Sequence, residues 1–307
     1  SPTYGRHRTL DEVKAMLDTI VKNEKEPDVV QISGGEPTIH PQFWEIMDYA
    51  KSLPIRHLML NTNGIKIAKD FEFAKRLKTY APDFEIYLQF QKGLNDNEIG
   101  KIIDYALKQK CVRGVTLQPT QIAGRLDNFN PETDRMTLTE VRRKIMEQTN
   151  IFNPDDLLPV PCNPDALVMG YALKLGDEVF PLTRYINPSD LLDNSKNTII
   201  YEQDDHLQEK MIELFSTGNS VEVAEENLKS IMCCLPNIDA PNLGYDNLFR
   251  VIIMQFIDAY NFDVRAIKKS CVHIVDKDNK IIPFETMNLF YRDDKKARLE
   301  ELRNEIL

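Results

Sequence analysis

The chain has 307 residues, enough for one large α/β domain or for one domain with an extension. Its 42% hydrophobic content can fill a core of that size, and its formal net charge of −10 argues against a general nucleic-acid binder. The longest apolar run, Val251-Ile-Ile-Met-Gln-Phe-Ile257, is far too short to span a membrane.

Along the chain, Thr9-Leu-Asp-Glu12 forms a capping box and predicts a helix to about Lys22, with Val13, Met16, Leu17 and Ile20 on one face. A strand is expected over 28–33. The pattern of Phe43 to Ala50 is helical and stops near Leu53-Pro54. Then come a strand over 57–61, a helix near 67–80, and a strand from Phe84 to Phe90. Asn95 to Gln109 reads as an amphipathic helix and Val112 to Pro119 as a strand. A second capping box, Thr137-Leu-Thr-Glu140, precedes a helix from Val141 to Gln148. Alternating helices and strands over 1–150 predict a parallel sheet wrapped by helices.

Residues 151–307 are less regular and are expected to form a C-terminal α+β extension. Gly170 to Leu175 and Val179 to Leu182 suit a hairpin. Helices are predicted at 204–215 and 221–232, and the apolar segment from Leu248 to Tyr260 reads as core helix. The five cysteines, Cys111, Cys162, Cys233, Cys234 and Cys271, are odd in number and scattered, which is no disulfide framework. No CxxC spacing occurs among them. Cys111 is expected to be a buried or half-buried thiol at a strand start, and Cys233-Cys234 to be packing residues.

The most informative stretch is Gln31-Ile-Ser-Gly-Gly-Glu-Pro-Thr38, which directly follows an apolar strand. Two glycines, a carboxylate and a proline bring bare backbone up to whatever lies at the strand's end. The next strand ends similarly, in Asn61-Thr-Asn-Gly64. Glycine-bearing ends on successive β-α units point to one ligand site at the carboxyl edge of a parallel sheet. A plainer reading makes Gly34 and Gly35 turn residues with Pro37 in the first helical turn, Glu36 a helix cap and His40 a loop residue.

In order and spacing over 1–150, Gly34-Gly-Glu-Pro-Thr38 and Asn61-Thr-Asn-Gly64 resemble the radical S-adenosylmethionine (radical SAM) superfamily. The second motif is similar to one in the molybdenum-cofactor-biosynthesis and peptide-maturase branches. Pro159-Val-Pro-Cys-Asn-Pro164, Lys268-Lys-Ser-Cys-Val-His273 and Pro283 to Tyr291 resemble a subgroup that includes archaeal tetraether-lipid synthases. The resemblance implies a partial (β/α)6-type TIM-like barrel over 1–150. It also implies a [4Fe-4S] cluster with one open iron that S-adenosyl-L-methionine chelates. One electron, from a reductant such as flavodoxin or ferredoxin, cleaves the sulfonium, and the 5′-deoxyadenosyl radical takes hydrogen from an unactivated carbon.

On the same resemblance, Gly34, Gly35, Glu36, Pro37 and Thr38 receive the SAM amine, while Asn61, Thr62, Asn63 and Gln89 contact the rest of SAM. Gln118 and Gln121 lie near the adenine or the substrate mouth. Cys162 and Cys271 are candidate ligands of an auxiliary iron–sulfur cluster, although Ala166 stands where relatives tend to carry another cysteine. The defining CxxxCxxC loop is expected upstream of Ser1, and further segments before residue 1 and near 90–91, so the catalytic cysteines have no number here. The implied substrate is a small molecule or lipid-like chain, methylated or coupled through carbon, in a reducing cytoplasm. Two other readings stand beside this one: a SAM-binding relative without radical chemistry, and an ordinary parallel α/β enzyme binding a nucleotide. The chain has no GxGxxG or P-loop pattern to carry the last.

Overall fold

A computed structural model describes residues 6–80, 84–122, 129–161, 163–175, 178–184, 187–188, 247–291, 295, 297 and 301. Helix α1 (Leu10–Glu24) opens on the expected capping box, with Glu12 N–H donating to Thr9 Oγ1 at 3.2 Å and Thr9 N–H to Glu12 Oε2 at 2.7 Å. Strand β1 (Val29–Ile32), helix α2 (Phe43–Ser52) and strand β2 (His57–Leu60) follow as the pattern predicts. The single helix expected near 67–80 is instead two, α3 (Ile65–Lys69) and α4 (Phe71–Lys78). The break falls at Asp70, whose carboxylate accepts from Phe73 N–H at 3.0 Å and starts a new helix.

Strand β3 (Phe84–Phe90) leads to α5 (Ile99–Lys108), which starts later than Asn95. The Asn95 side chain is committed to the strand end, donating to Gln89 O and accepting from Gln91 N–H, each at 3.0 Å. The first turn of α5 is satisfied from a distance. Gln148 accepts from Gly100 N–H at 3.1 Å and donates to Asp96 O at 2.8 Å. Strand β4 (Val112–Pro119) and helix α6 (Leu138–Gln148) come next, the latter with its capping box formed. Strands β5 (Leu158–Pro159), β6 (Leu167–Leu175) and β7 (Glu178–Pro181) follow, and β6–β7 is the predicted antiparallel pair. The segment from Leu248 is a strand, β8 (Leu248–Met254), and not a core helix. Residues 248–253 are all buried, because an interior strand is covered on both faces and so carries no alternation. Strands β9 (His273–Val275) and β10 (Ile281–Pro283) close the order. The helices predicted at 204–215 and 221–232 lie outside the described residues.

The chain divides into two compact units, residues 1–82 with 270–307, and residues 83–269. The expected boundary at 150 does not follow this division, because β6 and β8 pair into the sheet that β3 and β4 begin. In the first unit β1 and β2 are parallel, in register Gln31↔Met59 and Ile32↔Leu60. Leu17 of α1 packs with Val30 and Ala50, and α2 and α4 bury Phe43, Met47, Phe73 and Leu77. In the second unit the strand order is β3-β4-β8-β6-β5, with β7 on β6. Strands β3, β4 and β8 are parallel and β6 runs antiparallel to β8. No closed barrel forms among the described residues. The architecture is mixed α/β with parallel strands.

The second unit's sheet has two unlike faces. Phe90, Val115, Leu117, Val251 and Ile253 pack with Ile99 and Ile103 of α5 and with Val141 and Ile145 of α6. The alternate positions carry Glu85, Thr116, Gln118 and Arg250 beside the buried apolar Ile252 and Met169. Glu85 Oε2 accepts from Arg250 Nη2 at 2.7 Å and from Nε at 3.1 Å, and Thr116 donates to the other carboxylate oxygen. Both charged side chains are only 6% exposed, so each depends on the other. Glu85, Gly114 and Arg250 are register partners, and the Arg250 side chain reaches Glu85 across Gly114. A Cβ at Gly114 would stand 2.6 Å from Arg250 Cγ and 2.7 Å from its carbonyl oxygen. Gly114→Ala is therefore expected to cost about 1–3 kcal/mol of stability, through backbone displacement and a disturbed ion pair. Urea midpoints of the variant and parent check this; an unchanged midpoint would rule out the close crossing.

Candidate functional site

The carboxyl ends of β1 and β2 lie side by side, joined by Asn61 N–H donating to Ile32 O at 2.9 Å. Beyond Ile32 the chain is bare, with Ser33, Gly34 and Gly35 exposed. Gly34 has φ +154°, and nothing lies within 4 Å of the position a Cβ would take. The backbone of Gly34 and Gly35 makes no hydrogen bond with other described residues. That leaves donors and acceptors facing open space, the feature a backbone-bound ligand needs.

Glu36 holds this edge together. Its Oε1 accepts from Thr38 N–H at 3.0 Å, from the Thr38 hydroxyl at 2.6 Å and from the Thr62 hydroxyl at 2.7 Å. Its Oε2 accepts from Asn63 N–H at 2.8 Å. One carboxylate thus caps the short 3-10 turn at Pro37–Ile39 and ties it to the loop after β2. Burial alone would raise the Glu36 carboxyl. The donations from Asn63, Thr38 and Thr62 outweigh it and hold the group below the ordinary glutamate value. The plainer expectation, a structural Glu36, describes what this side chain does.

The loop after β2 has its own ties. Thr62 Oγ1 accepts from Gly64 N–H at 3.2 Å, and Asn63 Oδ1 from Ile65 N–H at 2.9 Å. Gly64, at φ +72°, turns the chain into α3 in a conformation that favours glycine. The carboxamide of exposed Asn61 and the NH2 of exposed Asn63 remain open to solvent. His40 is fully engaged, its Nε2 donating to Arg8 O at 2.8 Å and its Nδ1 accepting from Gln42 N–H at 3.0 Å. His7 lies edge-on to it, with ring centroids 5.1 Å apart. This brace on the segment before α1 was not legible in the sequence, since 32 positions separate Arg8 from His40.

Gln89 belongs to the second unit, at the end of β3, where it is the register partner of Gln118. Neither side chain joins the apolar core. Gln89 is exposed, and the half-buried Gln118 has the Met254 sulfur as a weak acceptor at 3.9 Å. Gln121 plays a different part, its amide donating to Phe256 O. Beside it, the fully buried Asp258 accepts from Arg135 Nη2 at 2.7 and 2.5 Å, from Ile122 N–H at 3.0 Å and from Tyr260 N–H at 2.8 Å. Burial pushes the Asp258 carboxyl up, but Arg135 and the two amides hold it below its ordinary value. This node secures the loops that follow β4 and β8.

Among the described residues no group of three His, Cys, Asp or Glu side chains is placed to hold a metal ion. Cys271 is exposed, and so is Cys111, against the expectation of a buried or half-buried thiol; it sits in the turn just before β4 begins. Cys162, Cys233 and Cys234 lie outside the described residues.

Residues 1–118 match the family model of the Radical SAM superfamily. Over 368 aligned positions, covering 93% of this chain and 71% of the relative, the chain is 26% identical to the 7,8-dihydro-6-hydroxymethylpterin dimethyltransferase of Methanocaldococcus jannaschii. A stretch of 48 residues is 46% identical to mycofactocin maturase MftC of Mycobacterium tuberculosis, covering 16% of this chain and 12% of that one. The chain carries a radical SAM superfamily domain. These matches support an enzyme of that superfamily, and the superfamily implies SAM and an iron–sulfur cluster as cofactors. The open glycine backbone at the β1 end fits the SAM part of that requirement.

Glu36→Gln is expected to lower stability at neutral pH by about 1–3 kcal/mol, because a neutral amide offers one acceptor oxygen in place of two charged ones. The folded-state carboxyl lies below its unfolded value of 4.5, so the contribution is complete above that pH. It fades as pH falls through the folded-state value. Urea titrations across this range should show the gap between parent and variant closing in acid; a gap constant with pH would contradict the charged tie.

Proposed function

We propose that this chain is a radical SAM enzyme that uses a [4Fe-4S] cluster and S-adenosyl-L-methionine to functionalise an unactivated C–H bond of a small polar heterocycle, by methyl transfer. The observation that carries the cofactor reading is the bare, Glu36-braced backbone at adjacent parallel strand ends. The fold this implies is a partial TIM-like barrel. When bound, the two cofactors supply a 5′-deoxyadenosyl radical.

The chain's own residues bind and orient. The carbonyl groups of Gly34 and Gly35 accept from the SAM amine, and Glu36, Pro37 and Thr38 fix the backbone that presents them. Asn61 and Asn63 offer carboxamide donors to the ribose or carboxylate, with Thr62 held as their spacer. Cys162 and Cys271 remain candidates for an auxiliary cluster. A flavodoxin or ferredoxin in a reducing cytoplasm serves as electron donor.

For the substrate, support comes from the polar face of the second unit's sheet. Gln89 and Gln118 present neighbouring carboxamides, each with donor and acceptor, above the buried Glu85–Arg250 pair. Such groups match the lactam and amidine edge of a pterin, and the relative aligned over 93% of this chain is named for a pterin substrate. A lipid chain, implied by the resemblance to tetraether-lipid synthases, has less support from a face with these groups.

The deciding experiment is anaerobic iron–sulfide reconstitution of the full gene product, followed by dithionite and SAM. Iron uptake with 5′-deoxyadenosine release is expected; neither, from a folded protein, would overturn the radical reading. With 7,8-dihydro-6-hydroxymethylpterin added, mass spectrometry should find methylated pterin. Gln118→Leu should raise the KM for the pterin about tenfold or more while uncoupled 5′-deoxyadenosine formation stays at the parent level. Equal KM values would remove Gln118 from the substrate site.

A further inference from the structure

Three large apolar side chains of the first unit are exposed in the segments that follow β1 and β2. They are Ile39 at 60%, Ile65 at 54% and Phe71 at 77% exposure. Ile39 ends the 3-10 turn after β1, Ile65 begins α3 after β2, and Phe71 begins α4. The same stretch is basic. Residues 65–78 hold Lys66, Lys69, Lys75, Arg76 and Lys78 against Asp70 and Glu72, a local charge of +3 in a chain of −10. Lys66 pairs with Asp70 at 3.2 Å, and Arg76 lies over the Trp44 ring at 4.3 Å. Exposed Lys69, Lys75 and Lys78 have no acidic partner among the described residues. Part of this charge complements the α4 dipole, since Lys75, Arg76 and Lys78 fall in its last turn. Lys69 stands in the same way at the end of α3, whereas the apolar rim has no such local use.

We propose that this basic, apolar-studded surface on α3 and α4 docks a small acidic electron-transfer protein. The inference rests on the radical SAM reading, which requires one electron per SAM cleaved. That electron comes from the reduced donor, which leaves oxidised by one electron. An acidic donor is repelled by most of a chain at −10 and attracted at this patch, so charge selects the face and apolar contact holds it. A second copy of this chain fits less well, because a two-fold contact sets Lys69 and its neighbours against themselves. A membrane surface also fits less well. The stretch is two short helices broken at Asp70, and the apolar side of α4, Phe73 and Leu77, is buried in the core with Phe43 and Met47.

The test measures binding of the reconstituted full-length protein to an immobilised flavodoxin and to an immobilised ferredoxin, in about 50 mM and about 300 mM salt. The parent should bind at least one donor and lose affinity with salt. Lys69→Glu and Phe71→Ser should each weaken binding about tenfold, with SAM cleavage driven by dithionite unchanged. Parent-like affinity of both variants for a bound donor would overturn the docking surface. So would parent binding to vesicles of phosphatidylglycerol and phosphatidylcholine with no binding to either donor. Absence of dithionite-driven cleavage in the parent would instead strike the radical reading, a separate failure from that of the patch.

Discussion

The Glu36 carboxylate is the interaction on which the candidate site depends. A glycine-rich strand end is conformationally loose, and order there must come from outside it. Four donors converge on this one side chain, two of them from the loop after the neighbouring strand. Because these donors satisfy the carboxylate fully, the adjacent glycines can stay bare without the edge losing its shape. His40 extends the same logic upstream, holding the Arg8 carbonyl so that the chain before α1 has a defined approach to the loop. Position here is set by polar contacts within turns and not by the apolar core below.

In the second unit, a parallel sheet ordinarily buries apolar side chains on both faces. Here the face toward α5 and α6 does so, while the other sets a buried ion pair, a threonine and two carboxamides beside the buried Ile252 and Met169. The arrangement is possible because Gly114 leaves a gap through which an arginine on β8 can reach a glutamate on β3. The same row that would be a packing defect in an ordinary sheet becomes a polar floor.

Features set by neighbours in sequence were legible before the structure. Both capping boxes are i to i+3 contacts, and both form as read. The glycine-bearing ends of β1 and β2 follow from turn chemistry. The break at Asp70 also had a local signal, an Asp three residues before Phe73, outweighed in reading by the apolar periodicity around it. Strand β8 departs from the helix that its sequence suggests, because an apolar run without alternation carries no period to tell the two apart. What could not be read are contacts that span the chain. The Glu85–Arg250 pair joins residues 165 positions apart, and no pattern near either announces the other. At the site, Glu36 could be identified as a cap, but its ties to Thr62 and Asn63 depend on β1 and β2 lying side by side.

The cap that Gln148 provides for α5 bears on the order in which this region acquires structure. The start of α5 has no side-chain cap of its own, and its amide and carbonyl partners arrive from the far end of α6. Gly100 allows that approach, because a Cβ there would meet the Gln148 carbonyl at 2.4 Å. The Gly100 N–H in the first turn of α5 therefore has its protein partner only when the end of α6 is in place. The start of α5 and the end of α6 are thus coupled, and their amides are expected to share protection against hydrogen exchange.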